Sequence, residues 1–241
     1  MLLRVEEVSK HFGGIAALNG VSFQVSVGEI VGVIGPNGSG KTTLFNVVAG
    51  TYLPTRGRVW LDSRDITHAP AGVRARLGIA RTYQIPRPFH GLTPLENVLV
   101  PLAIGRGLPF DPATQAKAMG FLARVGLESK ADAPIHQLSL MELKRLELAR
   151  ALALNPRFLL LDETFSGLNP AEVSAAVDLI SAVASQSQLG IVIVEHNMRV
   201  IMSLCSRVVV LSFGQKIAEG SPSEVAANPE VIRVYLGERR A

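Results

Sequence analysis

A glycine-rich stretch with one lysine and two threonines, GPNGSGKTT, carries the strongest chemical signal in this chain. It follows the apolar run EIVGVI and fits the phosphate-loop pattern G-x-x-x-x-G-K-[ST]. Glycines let successive N–H groups point at phosphate oxygens, and the helix that follows adds its positive end. Lys41 is predicted to reach the β- and γ-phosphates and Thr42 to bind Mg²⁺, roles that a simple glycine turn would not explain. The predicted nucleotide-binding residues here are Gly35, Pro36, Asn37, Gly38, Ser39, Gly40, Lys41, Thr42 and Thr43.

Two acidic residues end a second apolar run, FLLLDE. An apolar strand that ends in Asp is the second half of a phosphate-loop site, so Asp162 is predicted to hold the Mg²⁺ ion. Glu163 adds a second carboxylate beside the γ-phosphate, where it can polarise an attacking water as a general base. Alone, such a pair is often only a helix N-cap. Together with the upstream loop it indicates hydrolysis rather than phosphoryl transfer to a metabolite.

Two further polar residues follow candidate strands. His196 comes just after the apolar run IVIV, and Gln84 follows the short strand pattern GIART. An isolated histidine in such a place is more often satisfied at a strand end than bound to a ligand. In a parallel sheet, however, the carboxyl ends of the strands share one edge, where ligands gather. This logic places His196 near the phosphate loop, whereas Gln84 taken by itself carries almost no information.

The stretch LSLMELKRLELARAL has apolar side chains in nearly every helical sector, with charges scattered between them. A helix without a polar face is usually enclosed on several sides. Its first turn reads Ser-x-x-Glu, from Ser139 to Glu142, which is the capping-box pattern. The stretch alone is equally consistent with a plain buried helix and with part of a nucleotide site.

The strand patterns divide into two kinds. The early segments LLRVEEV, VSFQVSV and GRVWLD alternate as half-exposed antiparallel strands do. Three later apolar runs are separated by helical patterns, as in a parallel sheet that is covered on both faces. These runs are Phe158–Leu161, Gly190–Val194 and Val208–Leu211. The sequence therefore predicts an α/β fold with an antiparallel side sheet.

Between about residues 86 and 154 no strand pattern occurs. Helical patterns lie around Leu95–Leu102, Ala113–Val125 and Leu140–Leu154. We expect one domain over residues 1–241, with a helical subdomain at 87–154 inserted into an α/β core formed by 1–86 and 155–241.

Composition excludes several classes of protein. The 241 residues are 48% hydrophobic with a formal net charge of +4, and no Lys/Arg-rich run marks a nucleic-acid patch. Cys205 is the only cysteine, which excludes an internal disulfide and a cysteine zinc site. The apolar runs are far shorter than the roughly 20 residues of a spanning helix, and the start does not resemble a signal peptide. We expect the chain to reach a membrane only through a partner.

Taken in order and spacing, the phosphate loop, Gln84, the stretch from Leu138, LLLDE and His196 resemble the ATP-binding subunit of an ABC transporter. The resemblance covers essentially the whole chain. It implies that Phe12 stacks on adenine, that Gln84 senses Mg²⁺ and the attacking water and links to the transmembrane partner, and that His196 contacts the γ-phosphate. It also implies that two subunits face head to tail, so that Ser139 of one subunit binds the nucleotide held by the other.

For the fold, the resemblance implies a RecA-like P-loop NTPase core with an N-terminal antiparallel β subdomain and an inserted α-helical subdomain. ATP and Mg²⁺ are the implied cofactors. The implied partners are transmembrane permease subunits, a second ATPase subunit that is identical or a related sister, and indirectly a solute-binding protein, with no nucleic acid. The expected location is the cytoplasmic face of the cell membrane.

The signature stretch departs from the family pattern L-S-G-G-Q. Leu140 and Met141 replace both glycines, and Glu142 replaces glutamine. Backbone N–H donors at a helix start survive any non-proline substitution. The site is therefore expected to persist if Leu140 and Met141 point away from the nucleotide and Glu142 turns to the Ser139 N–H.

A further departure lies in SGLNPAE, where Asn169 stands in place of a common Asp in the loop that crosses between subunits. A neutral amide still forms hydrogen bonds but cannot act as a charge partner, so no proton-linked role is assigned to it. Thr164, where proline is common, has no assigned role.

The segments GIARTYQIPRPFHGLTPLENV, EHNMRVIM and KIAEGSPSEVAANPEVIRVYLGERRA look like those of ATPases from branched-chain or hydrophobic amino-acid uptake systems. Export of lipid or polysaccharide is the alternative within transport. A DNA-handling ABC ATPase would carry a long coiled-coil or zinc-bearing insertion, and a small-molecule kinase would lack the signature helix and Glu163. The sequence predicts an ATPase that drives solute import.

Overall fold

The computed structural model describes residues 1–236, which form two β-sheets and a set of helices. The strands are β1 Leu2–Phe12, β2 Ile15–Ser26, β3 Ile30–Ile34, β4 Arg56–Leu61, β5 Arg64–Asp65, β6 Ile79–Arg81, β7 Phe158–Asp162, β8 Gly190–Val194, β9 Arg207–Ser212 and β10 Gln215–Gly220. The α-helices are α1 Lys41–Val48, α2 Ala71–Arg76, α3 Pro94–Val100, α4 Pro112–Arg124, α5 Leu140–Ala153, α6 Pro170–Ser187, α7 Met198–Leu204, α8 Pro222–Ala227 and α9 Pro229–Leu236.

The first sheet is antiparallel, in the order β2-β1-β4-β5. Its long strands alternate between buried and exposed residues, because one face packs on the core and the other meets solvent. Register shifts along the β1–β2 pair mark local irregularities in the ladder. This sheet confirms the side sheet predicted from the alternating early segments.

The second sheet has the order β10-β9-β3-β8-β7-β6, and all its pairs are parallel except β9–β10. Every residue of β7 and β8 is buried, because helices and the other sheet cover both faces. The three predicted apolar runs are β7, β8 and β9. The sequence did not predict β10, whose residues are largely exposed.

Successive residues of the central strands divide between two hydrophobic clusters. Leu159 and Leu161 belong to the cluster that includes the helices α3, α4 and α5, while Phe158 and Leu160 belong to the cluster under the antiparallel sheet and α1. This period of two follows from the alternation of side chains along a strand. The α/β fold with an antiparallel side sheet is confirmed.

No strand lies between residues 82 and 157, and α3, α4 and α5 correspond to the three segments predicted to be helical. A wide five-residue π turn, Pro101–Gly105, follows α3, and short 3₁₀ turns at Glu128–Lys130 and Ile135–Gln137 precede α5. These helices share one hydrophobic cluster with the parallel sheet. The division of the chain at residues 87 and 154 therefore stays a prediction. Within residues 1–236 no helix combines the length and apolarity that crossing a bilayer requires.

Candidate functional site

The predicted site residues converge at the carboxyl edge of the parallel sheet. The phosphate loop follows β3, Gln84 lies shortly after β6, Asp162 ends β7, and His196 follows β8. Because these strands are neighbours and parallel, their ends bring the residues to one edge. Phe12 and Ser139 lie elsewhere, on the antiparallel sheet and at the start of α5.

The phosphate loop has the backbone conformation that its glycines allow. Gly38 and Gly40 have φ of 79° and 101°, values that side chains rarely permit. At Gly40 a Cβ would also lie 2.5 Å from the Ala17 carbonyl oxygen. The loop can therefore curl as closely as phosphate binding requires.

Lys41 is buried at the foot of the loop. Its ammonium donates to the carbonyls of Gly35 at 2.8 Å and Pro36 at 2.9 Å. Burial lowers the pKa of Lys41, and the nearby carboxylates of Glu163 and Asp162 oppose that shift. A cation among these groups is suited to the charge of a phosphate.

Ser39 and Thr42 supply the hydroxyl groups of the loop. The buried Ser39 Oγ has no hydrogen-bond partner within the part of the chain that the structure describes. Thr42, at the start of α1, is exposed. A buried hydroxyl without a partner inside a glycine cradle fits a phosphate ligand, since buried polar groups normally find a partner.

The acidic pair has two different surroundings. Asp162 is buried and forms an ion pair with Arg81, with Nη2 and Oδ2 separated by 3.1 Å. Burial raises the pKa of Asp162, and the Arg81 charge opposes that shift. A single carboxylate together with the Thr42 hydroxyl is the kind of donor set that Mg²⁺ uses beside substrate phosphates. Sequence reasoning missed Arg81, although it lies at the carboxyl end of a predicted strand.

The Glu163 carboxylate instead contacts Gln84. The Gln84 amide Nε2 donates to Glu163 Oε2 at 2.5 Å. Glu163 itself has φ of 46°, in the left-handed region that is uncommon for residues other than glycine. Strain of this kind persists where the surrounding structure holds the residue in place.

His196 is exposed just beyond β8, and the residue before it is buried. The Glu195 carboxylate accepts from the backbone N–H groups of Phe165 at 3.0 Å and His196 at 3.3 Å. Burial raises the pKa of Glu195. Sequence reasoning did not single out Glu195, although it follows the same pattern of a buried strand ending in an acid that identified Asp162.

Phe12, the last residue of β1, lies in an aromatic cluster. Its ring packs edge-on against Tyr52 with centroids 5.4 Å apart, and the Lys10 ammonium lies 5.1 Å from the Phe12 centroid. The residue is 44% exposed, so part of its ring surface is accessible for stacking. Tyr52 and Lys10 were not predicted as part of this surface.

The start of α5 has the capping box predicted for it. Ser139 N–H donates to Glu142 Oε2 at 2.8 Å, and Glu142 N–H donates to Ser139 Oγ at 3.3 Å. Glu142 also pairs with Lys130 at 2.6 Å, so its charge is compensated. Met141 is only 7% exposed and packs into the core, whereas Leu140 remains 41% exposed. Met141 therefore does not cover the helix start, whereas the Leu140 side chain stays at the surface there.

The loop between β7 and α6 also places two residues whose roles were left open. Asn169 Oδ1 accepts from the N–H groups of Ala171 and Glu172, both at 3.0 Å, so it is the N-cap of α6. Thr164 is buried, and its Oγ1 lies 3.3 Å from Thr82 Oγ1. Both contacts are structural.

Two protein-family models match the sequence. The model described as "ABC transporter" matches residues 18–166, and "Branched-chain amino acid ATP-binding cassette transporter" matches residues 215–241. Residues 237–241 of the second match lie outside the described part of the structure.

Curated relatives match over nearly their whole length. The chain is 38% identical to the high-affinity branched-chain amino acid transport ATP-binding protein LivG of Salmonella typhimurium, covering 98% of each chain. It is 37% identical to BraF of Pseudomonas aeruginosa, a protein of the same description, again covering 98% of each. It is also 38% identical to the lipopolysaccharide export system ATP-binding protein LptB of Acidithiobacillus ferridurans, covering 99% of this chain and 98% of the relative.

Solved structures share the fold. The ADP conformation of MJ1267, an ATP-binding cassette of an ABC transporter, superposes with a TM-score of 0.89 at 31% identity, covering 98% of this chain and 99% of the other. The dimeric post-hydrolysis cassette MJ0796, bound to ADP and Pi, superposes with a TM-score of 0.82 at 28% identity, covering 91% and 98%.

Proposed function

This chain belongs to the ABC transporter family as an ATP-hydrolysing subunit, and from that premise we propose that it drives import of branched-chain or other hydrophobic amino acids. The observation that carries the hydrolytic part is the meeting of three strand ends, those of β3, β6 and β7, at one edge, where Lys41, Asp162, Glu163 and Gln84 lie together. A cation, a metal-binding carboxylate and a second, separately held carboxylate are the groups that ATP hydrolysis needs.

In the proposed site each residue has one task. Lys41 and the loop N–H groups bind phosphate oxygens, while Thr42 and Asp162 hold Mg²⁺, with Gln84 facing the same ion. The ion would neutralise developing phosphate charge. Glu163 accepts the proton of the attacking water, and the Gln84 amide at 2.5 Å orients that carboxylate. His196 faces the γ-phosphate, and Phe12 stacks on adenine.

A second ATPase subunit completes the site. Ser139 caps its own helix and has no hydrogen bond to the phosphate loop within residues 1–236. We propose that the N-terminal end of α5 binds the nucleotide of a partner subunit, through backbone N–H groups that the buried Met141 leaves accessible. The partner is a second copy or a related sister subunit.

A groove between the parallel sheet and the helices is the proposed contact with the permease. A cavity of about 480 Å³ lies there, lined by Tyr83, Phe89, Ile104, Glu147 and other residues. Its apolar side chains suit a helical segment of a membrane protein. Attachment there would hold the chain at the cytoplasmic face of the membrane, with a solute-binding protein acting on the far side.

The role of Glu163 is tested by Glu163→Gln in the purified protein. ATP binding, followed with a fluorescent ATP analogue, should persist, while steady-state phosphate release should fall by about 10²-fold or more. The matched control is Glu128→Gln, which changes an exposed glutamate away from the site and should leave turnover unchanged. Undiminished hydrolysis by Glu163→Gln would remove the general-base assignment.

The direction of transport is tested separately, because the chain is similar to both import and export ATPases. Its match at residues 215–241 to the branched-chain family favours import. Mass spectrometry of the complex purified from solubilised membranes should find a pair of permeases and a second ATPase. Recovery of lipid-export components instead would support the export alternative.

A further inference from the structure

Helix α5 carries two charged side chains into the protein interior. Lys144 is 5% exposed and Glu147 is 6% exposed. They are three residues apart and so lie on the same face of the helix. Burying a charge costs free energy unless hydrogen bonds and opposite charges compensate it. The contacts of Lys144 and Glu147 therefore show which segments these two side chains hold in place.

Glu147 holds the segment that contains Gln84. Its Oε2 accepts from the Tyr83 N–H at 3.0 Å and its Oε1 from the Arg87 N–H at 3.4 Å. These two donors flank Gln84, whose own side chain is bound to Glu163. A single carboxylate therefore fixes the backbone on both sides of the residue that orients the proposed base.

Lys144 holds the backbone of the proposed base itself. Its ammonium donates to the Glu163 carbonyl at 3.3 Å. The same peptide unit has the left-handed conformation described above, and the Glu163 N–H is bound by the Val194 carbonyl at 2.9 Å. The Glu163 carbonyl also accepts from the Ser166 N–H at 3.1 Å, so Lys144 is the side-chain contact among the hydrogen bonds that keep this strained backbone in place.

Opposite charges surround Lys144 in the same interior. Burial lowers the pKa of Lys144, and the charges of Glu195, Glu147 and Glu163 oppose that shift. Glu195 in turn binds the N–H groups of Phe165 and His196. Lys144 thus lies among carboxyl groups that bind the Gln84 segment, the Glu163 turn and the His196 loop.

The start of the same helix meets the loop that follows Glu163. The Leu140 Cδ2 atom is so close to Gly167 that a Cβ on that glycine would lie 3.0 Å from it. Since Ser139 is the helix N-cap, a displacement of the helix start would move Leu140, Lys144 and their contacts together.

We propose that Lys144 and Glu147 are positioning residues, which transmit the position of α5 at Ser139 to Glu163 and Gln84 of the same chain. This inference rests on the proposed function, in which Ser139 meets the nucleotide of the partner subunit. As a consequence, the rate at which each subunit hydrolyses ATP depends on whether the nucleotide of the partner subunit is bound to its α5.

The test compares Lys144→Met and Lys144→Arg with wild type in the assembled transporter. Lys144→Met should lower kcat by roughly 10-fold to 100-fold, as a small displacement of a catalytic group does, with KM for ATP changed much less. The Hill coefficient for ATP should fall towards one. Lys144→Arg keeps a buried donor and should therefore retain most of the wild-type kcat and Hill coefficient. Lys117→Met, at an exposed lysine of α4, is the matched control.

A charge-balanced variant guards against a simple loss of folding. Lys144→Met combined with Glu147→Gln removes the two buried charges of α5 together, so that neither of them is left without the other. If this variant folds, with wild-type thermal unfolding, and still shows the wild-type kcat and Hill coefficient, the proposal is overturned. Loss of both quantities in the folded variant supports it. If Glu163→Gln abolishes turnover while the Lys144 variants behave as wild type, only this inference fails and the hydrolytic function stands.

Discussion

At the scale of single residues, the most heavily bonded interior cation lies outside the proposed chemistry. Arg74 is fully buried, and its guanidinium donates to four carbonyl oxygens at distances between 2.7 and 2.9 Å. Two of these belong to Val47 and Val48, in the last turn of α1, where carbonyls lack the regular helical partner; the Val47 carbonyl also accepts from the Gly50 N–H at 3.2 Å. Arg74 therefore caps the helix that begins at the phosphate-binding Lys41.

Replacing Arg74 by methionine should destabilise the protein by about 3 kcal/mol or more, because buried carbonyls lose their donors. Chemical denaturation measures this change. Arg76→Met, at an exposed arginine of the same helix, should stay within about 0.5 kcal/mol of wild type. Similar stability of the two variants would show that the Arg74 contacts contribute little.

The buried carboxyl group of Glu147 should make the stability of the protein depend on pH. Burial raises its pKa above the usual value of 4.5, against the N–H groups of Tyr83 and Arg87 and the charges of Arg150 and Lys144. Its native carboxyl therefore binds a proton more tightly than the unfolded chain does, and its contribution to stability falls as pH rises from 4.5 through the native pKa.

The glutamine of Glu147→Gln does not titrate in this range. The unfolding free energy of wild type should therefore rise relative to that of the variant as the pH falls from neutral towards 4.5. Denaturant titrations at a series of pH values measure the difference. The raised pKa would be contradicted if the difference in unfolding free energy did not change with pH. It would also be contradicted if acidification stabilised the variant more than wild type.

At the scale of elements, helix starts are specified by reciprocal side-chain caps. Helices α3, α5, α6 and α8 each begin with a capping box, in which the N-cap side chain and a glutamate three residues later bind each other's N–H groups. In α5 the cap fixes the helix start that is proposed to bind the nucleotide of the partner subunit.

Asn169 offers a direct test of one cap. Asn169→Ala should cost about 1 kcal/mol of stability, since the N–H groups of Ala171 and Glu172 lose their acceptor. Asn169→Asp keeps an equivalent acceptor and should retain stability. Thermal and denaturant unfolding of the three proteins provide the measurement, and equal losses for Ala and Asp would exclude a capping role.

At the scale of the whole molecule, the groove proposed to bind the permease lies next to the residues that hold Gln84. Glu147 and Tyr83 both line the cavity, and they are also bound to each other beside Gln84. Arginines cover the aromatic side chains there, with the Arg150 guanidinium 4.7 Å from the Phe89 centroid. A segment that enters the groove would thus contact the same residues that hold the Gln84 loop.

Ile104 tests this surface because its side chain lines the groove and is 78% exposed. Ile104→Asp should leave nucleotide binding by the purified chain unchanged and reduce recovery of the permeases on affinity purification from membranes. Phe110→Asp is the matched control, since Phe110, in the loop before α4, is 71% exposed but does not line the cavity. Equal recovery with the two variants would place the contact elsewhere.

Much of this arrangement could be predicted from local sequence. The apolar runs located β7, β8 and β9, the glycine pattern located the loop after β3, and Ser139 with Glu142 located the start of α5. These features depend on spacing within a few residues. Membership of the ABC transporter family, predicted from the order of the motifs, is confirmed by the relatives.

The remainder depends on contacts between distant segments. The pairing of Arg81 with Asp162 joins residues 81 positions apart, and no local pattern contains it. Lys144 and Glu147 lie on a helix that is apolar in nearly every sector, so its periodicity could not tell which charges face inwards. The roles of the individual site residues stay predictions.

The wide turn at Pro101–Gly105 has a consequence for the wall of the groove. The Arg106 N–H binds the Pro101 carbonyl five residues earlier, so this turn holds one residue more than a regular helical turn. One additional residue advances the helical phase by about 100°. Leu102 faces the interior and Ile104 faces solvent under that offset. A single-residue deletion here would rotate the wall away from any docked segment while leaving the composition of the groove almost unchanged.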